Sequence, residues 1–221
     1  FIIALFNFSC FQEKKYNAQL KGNTMGTYYL IQVIDVPIEL KIKNIELEIK
    51  DTLKKANKIL SNWDKNSEIS IINKTFKTTA IKISDELNEV FKSAKEINAK
   101  SNGFFDLTLD PIIELWGFGY KNKQMQKIPK DNQIKSVLSL IGQKSFLKMN
   151  FDNNELTKRN KDIKINLSSI AKGYGIDLIG KKLNKLGINN YIINIGGDIL
   201  TKGYNSKKEN WVIGIENPNL K

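Results

Sequence analysis

The chain reads as one mixed α/β domain of the α+β class. Three observations predict this. Strand-like and amphipathic helical runs are mixed along the chain. Its 221 residues are 41% hydrophobic and 26% charged, the composition of a folded globular protein. No internal repeat or low-complexity linker divides it. Such a length buries one sizeable core or at most two small ones.

The first strand is predicted at residues 27–35, a run rich in aromatic and β-branched side chains that Pro37 stops. Ile42, Ile45, Ile49, Leu53, Ala56 and Leu60 follow at three- and four-residue spacing and predict an amphipathic helix. It runs into a polar loop, residues 61–66, that carries Trp63. Ser84, with Asp85 and Glu86 behind it, starts a second helix whose face is Leu87, Val90, Phe91, Ala94 and Ile97; Asn102 and Gly103 end it. A shorter helix is expected over 131–141. Then come a strand at 162–167, a helix from about Ser168 to Leu186 closed by Gly187, and strands at 191–195 and 211–215. The last strand has nothing behind it but residues 216–221, so the fold reads as unfinished at its C-terminal end.

Composition narrows the chemistry. There is no histidine, which removes His triads, His general bases and His-rich zinc sites from this sequence. One cysteine excludes an internal disulfide and a Cys-based metal site. A bound metal would need oxygen ligands, which favours magnesium or calcium. The net charge of +12 fits a phosphate-bearing ligand or a membrane surface. Nucleic acid is not expected as a partner, because lysine is spread evenly with no basic block longer than a pair.

Residues 1–10 form a short apolar run ending at Cys10. The run is too short to span a bilayer as a helix and resembles the end of a secretory h-region. A small residue before a lone cysteine suggests lipoprotein processing, with Cys10 acylated as an anchor on an exported, membrane-attached protein. Asn7 departs from that pattern, which usually has Leu, Val or Ile there. With no initiating Met and no basic n-region, the chain reads as beginning inside its signal. The alternative is a first core strand with a buried cysteine. Residues 11–21 read as a polar tether, and 22–221 as the domain.

Three segments break the ordinary pattern. The first, residues 22–27, sets glycines beside polar residues at the edge of a strand, either as a plain turn or as a place where backbone approaches a ligand. In the second, Asp106 and Asp110 sit among aromatics, where an unpaired buried carboxylate is costly. They either cap a following helix or accept a ligand's donors. The glycines around Phe118 suit a tight loop against a flat ring. In the third, Asn166 precedes Ser168, Ser169 and Lys172 at a helix start, and a Gly-Gly turn leads to Asp198. The serines read as N-cap residues. Free N–H groups, the helix dipole and the Lys172 charge suit phosphate. The glycine spacing matches neither a P-loop nor a dinucleotide fingerprint, and an ordinary capped helix plus a turn stays open.

Together, in order, these segments resemble the FAD:protein FMN transferase (ApbE) family of flavin-handling lipoproteins. The likeness is carried by Thr24-Met-Gly-Thr27, Leu60-Ser-Asn-Trp63 with Ser67-Glu-Ile-Ser70 and Asn73, Gly103-Phe-Phe-Asp106 through Trp116-Gly-Phe-Gly119, Ile165 through Asp177, Asn194-Ile-Gly-Gly-Asp198, and Trp211 through Pro218. It implies an ApbE-like, T-fold-related domain that binds FAD and magnesium. FAD would be the substrate, its FMN half passing to a threonine of a target protein with release of AMP; a magnesium-dependent FAD pyrophosphatase giving FMN and AMP, and a non-catalytic FAD-binding lipoprotein, stay open as alternatives. By position, the resemblance implies that Met25, Trp63, Phe104, Phe105, Asp106, Asn166 and Lys172 line the FAD site. It also implies that the Ser169 carbonyl meets the metal, and it sets Asp198 near the flavin as a catalytic candidate. Two departures stand out. Asn166 occupies a position where many members carry Asp, and Trp63 one that is often Tyr. Members also continue with a His-containing strand and an Asp/Thr metal motif, so the remaining metal ligands are expected beyond residue 221.

Overall fold

The computed structural model describes residues 14–76, 78–119 and 128–215. In chain order its elements are β1 (Lys15–Thr24), β2 (Thr27–Pro37), α1 (Ile42–Leu60), α2 (Glu68–Lys74), β3 (Ile81–Lys82), α3 (Asp85–Lys100) and α4 (Asp110–Leu115). They continue with α5 (Asp131–Leu138), α6 (Gln143–Phe146), β4 (Leu147–Asn150), β5 (Glu155–Lys158), α7 (Ala171–Lys185), β6 (Asn190–Ile195) and β7 (Asp198–Lys202). The mixed α/β class expected from the sequence is what forms.

Four antiparallel strands in the order β1-β2-β6-β7 make the main sheet. In β2 and β6 the period-2 pattern turns Tyr29, Ile31 and Val33, and Tyr191, Ile193 and Ile195, to one face. The register sets Tyr29 opposite Ile195, Ile31 opposite Ile193 and Val33 opposite Tyr191, so each inward side chain packs on another across the ladder. Ile45, Ile49 and Leu53 of α1 and Ile176, Ile179 and Leu183 of α7 close this face into one apolar cluster.

A second cluster is built on the small sheet β3-β5-β4 with α2 and α3, around Ile69, Leu87, Phe91, Leu107, Leu156 and Ile165. Leu60 at the end of α1 and Ala171 at the start of α7 belong to this second cluster, not the first. Helices α1 and α7 therefore cross from one cluster to the other. The C-terminal end of α1 and the N-terminal end of α7 lie at the seam.

Several expectations are corrected. Residues 15–21, read as part of a polar tether, belong to β1 and pair with β2; the exposed face of an edge strand is polar, which hid it. Residues 163–167 are extended but join no ladder. Ile165 exchanges both of its backbone bonds with the Asn73 amide at 2.7 and 2.8 Å. Asn62 bonds the Ile165 carbonyl and the Leu167 N–H at 2.7 and 2.8 Å. Two asparagine side chains thus replace a neighbouring strand. Residues 211–215 also form no strand. Trp211 is tied to the Lys202 carbonyl through its indole N–H, while Val212 and Ile215 point to solvent.

Candidate functional site

The turn at residues 24–27 closes a two-residue hairpin with Met25 at φ 50° and Gly26 at φ 74°. Positive φ at both central positions is the type I′ turn that matches strand twist. The β6–β7 turn repeats the geometry with Gly196 at φ 55° and Gly197 at φ 96°. Because β2 pairs with β6, the two tips lie side by side; Gly196 donates its N–H to the Tyr28 carbonyl at 3.0 Å. A Cβ on Gly196 would stand 2.7 Å from the Thr27 side chain, so only glycine allows this approach.

The start of α7 faces these tips. Lys172 Nζ lies 3.3 Å from an Asp198 carboxylate oxygen and 3.4 Å from the Gly196 carbonyl. Met25 packs toward Gly175, one helical turn further along. Contrary to expectation, α7 does not begin at Ser168, and neither Ser168 nor Ser169 caps it. The helix begins at Ala171 with Ile170 at the cap position and no side-chain cap. The Leu167 carbonyl accepts from both Ile170 and Ala171, while the Asn166 amide oxygen takes the Ser168 N–H at 2.9 Å, forming a tight turn before the helix. The uncapped first turn leaves backbone donors beside the Lys172 ammonium, an arrangement that attracts anions. Gly173 presents open space there.

On the other side of that turn lies a cavity of about 330 Å³ lined by Trp63, Asn73, Asp110 and Lys164 among others. Trp63 follows the end of α1 and is largely exposed. Asp110 is buried in the first turn of α4 and accepts the Asn166 side-chain N–H at 3.0 Å. The structure therefore brings Met25, Lys172 and Asp198 together at the hairpin tips, and links Asn166 through Asp110 to the cavity beside Trp63.

The segment Phe104–Asp106 behaves differently. The Phe104 ring is almost wholly exposed, whereas Phe105 packs against the second cluster. Asp106 is committed internally: one oxygen accepts the Thr108 N–H and hydroxyl at 2.7 and 2.5 Å, and the other accepts the Gln143 N–H at 2.7 Å. Its carboxylate braces the loop into α6. A larger cavity, about 820 Å³, is rimmed by Lys95, Lys144, Lys148 and Arg159, yet of the residues expected to line the FAD site it includes only Asp106.

Tyr174 stands near Lys172 in α7, but burial and the nearby Glu89 and Glu86 push its hydroxyl up to about 12. It stays protonated and is no proton acceptor at neutral pH. Among the described residues no three His, Cys, Asp or Glu gather to hold a metal. Cys10 lies outside the described residues. No helix among those described is long and apolar enough to cross a membrane. Reading the sequence missed the link from Asn166 to Asp110 and the bracing by Asn62; the acids flanked by aromatics were the available signal for the first.

Comparison with known proteins bears on the family and the fold. The model of the ApbE family matches residues 25–221. The chain is 38% identical over 207 residues to a FAD:protein FMN transferase of Buchnera aphidicola subsp. Schizaphis graminum, covering 93% of this chain and 59% of that protein. It is 36% identical over 213 residues to one from Haemophilus influenzae, covering 95% and 61%. The chain thus spans about three fifths of the length of these curated relatives. Among solved structures it resembles the flavin transferase ApbE from Vibrio cholerae, with a TM-score of 0.86, 33% identity, and coverage of 93% of this chain and 65% of the other. It also resembles the apo form of Pseudomonas stutzeri flavinyl transferase ApbE, with a TM-score of 0.80, 28% identity and coverage of 93% and 66%.

Proposed function

Because the chain belongs to the ApbE family, we propose that it carries the FAD-facing residues of a magnesium-dependent FAD:protein FMN transferase. In this reaction a threonine hydroxyl of a target protein attacks the FMN-side phosphorus of FAD. The pyrophosphate bond breaks, AMP leaves with the bridging oxygen, and the threonine proton is released. The product is FMN esterified to the protein.

The observation that supports the reading is the position of Lys172. Its ammonium sits between the Gly196 carbonyl and Asp198, at the uncapped start of α7. A pyrophosphate placed there would meet a full positive charge together with free backbone N–H groups, and charge developing on the leaving phosphate would be stabilised. The role of Asp198 is to hold Lys172, and as a half-exposed carboxylate it is the candidate acceptor of the threonine proton. Met25 and Trp63 offer surfaces for the two ring systems. Phe104–Asp106 contributes as a braced loop. The Ser169 carbonyl would give one oxygen to magnesium. Acylated Cys10 would hold the exported protein at a membrane.

The test incubates full-length protein with FAD, magnesium and a peptide bearing a flavinylation threonine. The expected result is a peptide carrying covalent FMN, with an equal amount of AMP. FMN and AMP free in solution, with an unmodified peptide, would instead identify a hydrolase. Replacing Lys172 with Ala is expected to weaken FAD binding at least tenfold and reduce transfer by more, since a charge-assisted contact is worth about 1.5–3 kcal/mol. Unchanged turnover in that variant sinks the assignment.

A further inference from the structure

Asn166 is held at both ends of its amide. Its oxygen accepts the Ser168 N–H at 2.9 Å, and its nitrogen donates to Asp110 Oδ1 at 3.0 Å. The backbone donor fixes which end of the amide is the oxygen, so the nitrogen must face Asp110. Asn166 thus commits its oxygen and one N–H within the chain, and it does not line the neighbouring cavity. Asp110 does line it, and is the one carboxylate among the described lining residues. The second Asp110 oxygen takes no hydrogen bond from the described residues, yet it is not sealed among the buried unpartnered atoms. It opens on the cavity.

We propose that Asp110 is the specificity-determining acceptor for the adenosine half of FAD, with Asn166 as the residue that orients it. This deepens the transferase reading and rests on it. A cavity of about 330 Å³ is at the small end of ligand sites, too small for a dinucleotide and suited to its smaller half. The adenine amine and the ribose hydroxyls supply the donors a carboxylate wants, and Trp63 supplies a wall for a flat base. The amide at 166 then has a physical reason. A carboxylate there would stand at hydrogen-bond distance from Asp110, and two like charges so close cannot both ionise without penalty. In this chain the acid is Asp110, and the amide at 166 is its donor.

The experiment measures binding of FAD, AMP and FMN to full-length protein by calorimetry, with melting temperatures alongside. Asp110→Asn keeps an oxygen for the Asn166 N–H and removes only the charge. It is expected to weaken FAD and AMP by roughly tenfold or more, leaving FMN unchanged and the melting temperature close to wild type. Asn166→Asp alone is expected to weaken AMP as well, because the two acids must share a proton. The exchanged pair, Asp110→Asn with Asn166→Asp, keeps a donor and an acceptor between the two positions but turns the acid away from the cavity, so it should not recover AMP affinity. AMP binding untouched by Asp110→Asn overturns the proposal. So does loss of FMN binding instead of AMP, or an exchanged pair that binds AMP as well as wild type. Wild-type protein that binds no FAD at all sinks the transferase reading first, and this assignment with it.

Discussion

The two halves of this molecule are held together by different means. Around the main sheet, the backbone pairs with backbone along β1-β2-β6-β7, and α1 and α7 bury Ile and Leu against it. Around the small sheet β3-β5-β4, the ladders are short, and buried backbone is satisfied by side chains. Asn62 and Asn73 serve residues 163–167, Asn88 takes the Phe151 carbonyl, and Lys158 takes the Ile72 and Thr75 carbonyls. The helices differ in the same sense. α2 and α3 start on Ser67 and Ser84, each accepting a backbone N–H, whereas α1 and α7 start on Lys41 and Ile170 with no side-chain cap. Regular pairing with apolar burial builds one half; individual polar side chains build the other. The candidate site lies where they join, and Asn166 belongs to the segment that the amides hold.

The sharpest way to break this comparison is to remove both amides. Asn62→Ala with Asn73→Ala orphans the Ile165 N–H and carbonyl and the Leu167 N–H, all in fully buried residues. At about 1–3 kcal/mol for each unsatisfied buried group, the loss should be about 4 kcal/mol. Urea unfolding measures it, and hydrogen exchange locates it. Amides of Leu107 and Leu156 should lose protection while those of β2 and β6 keep theirs. A uniform loss across both halves would show that the division is not energetic.

The same contrast explains what the sequence disclosed. Apolar period marks burial against a regular element, so α1, α3, β2 and β6 were legible within a residue or two from Ile42 to Leu60, Leu87 to Ile97 and Tyr191 to Ile195. The segment 163–167 has the same apolar pattern, which predicts a strand over 162–167. Nothing local reveals that its partners are asparagines 92 and 103 positions away in the chain. The start of α7 was misplaced for a related reason. Ser168 and Ser169 have the chemistry of caps, but Asn166 has already taken the first free N–H and the Leu167 carbonyl closes the turn. That Met25 and Asp198 stand at tight turns was visible in the sequence, because the glycines beside them mark those turns. The role of Asp110 was only half visible. A buried acid announces that it has a partner without saying which.

Lys158 offers a second, smaller test. It is fully buried, and burial together with the Lys164 charge pulls its ammonium down to about 8 from the usual 10.5. The unfolded chain therefore holds this proton more tightly than the folded one. Between about pH 8 and 10.5 the unfolded state binds more protons, so this group's contribution to stability rises as pH rises through that window. Below pH 8 both states are protonated and the penalty is constant. The full change is on the order of 3 kcal/mol by linkage, from the two values just given. Lys158→Met removes it, so the stability gap between wild type and variant should move in favour of wild type from pH 8 to 10.5. A gap that stays flat over that range would mean that the two carbonyls, not the buried charge, dominate at this position.

The smallest effect separates the helix starts. Ser84 accepts the Leu87 N–H at 3.2 Å, and its own N–H and hydroxyl donate to Glu68 at 2.7 and 2.6 Å. One serine thus starts α3 and binds it to the first turn of α2. Ser84→Ala should cost about 1 kcal/mol, the usual value of a lost N-cap. Lys41→Ala, at the uncapped start of α1, should change stability by a few tenths at most, because no side-chain bond is lost there. Adding a cap is informative in the other direction. Ile170→Asp would satisfy the open N–H groups of α7 and could stabilise the fold, but its carboxylate would stand where a phosphate is proposed to bind. A variant that melts higher and binds FAD less well would show that α7 starts bare because its first turn is kept for a ligand. One that binds FAD as well as wild type would make the bare start a local accident of the Leu167 turn.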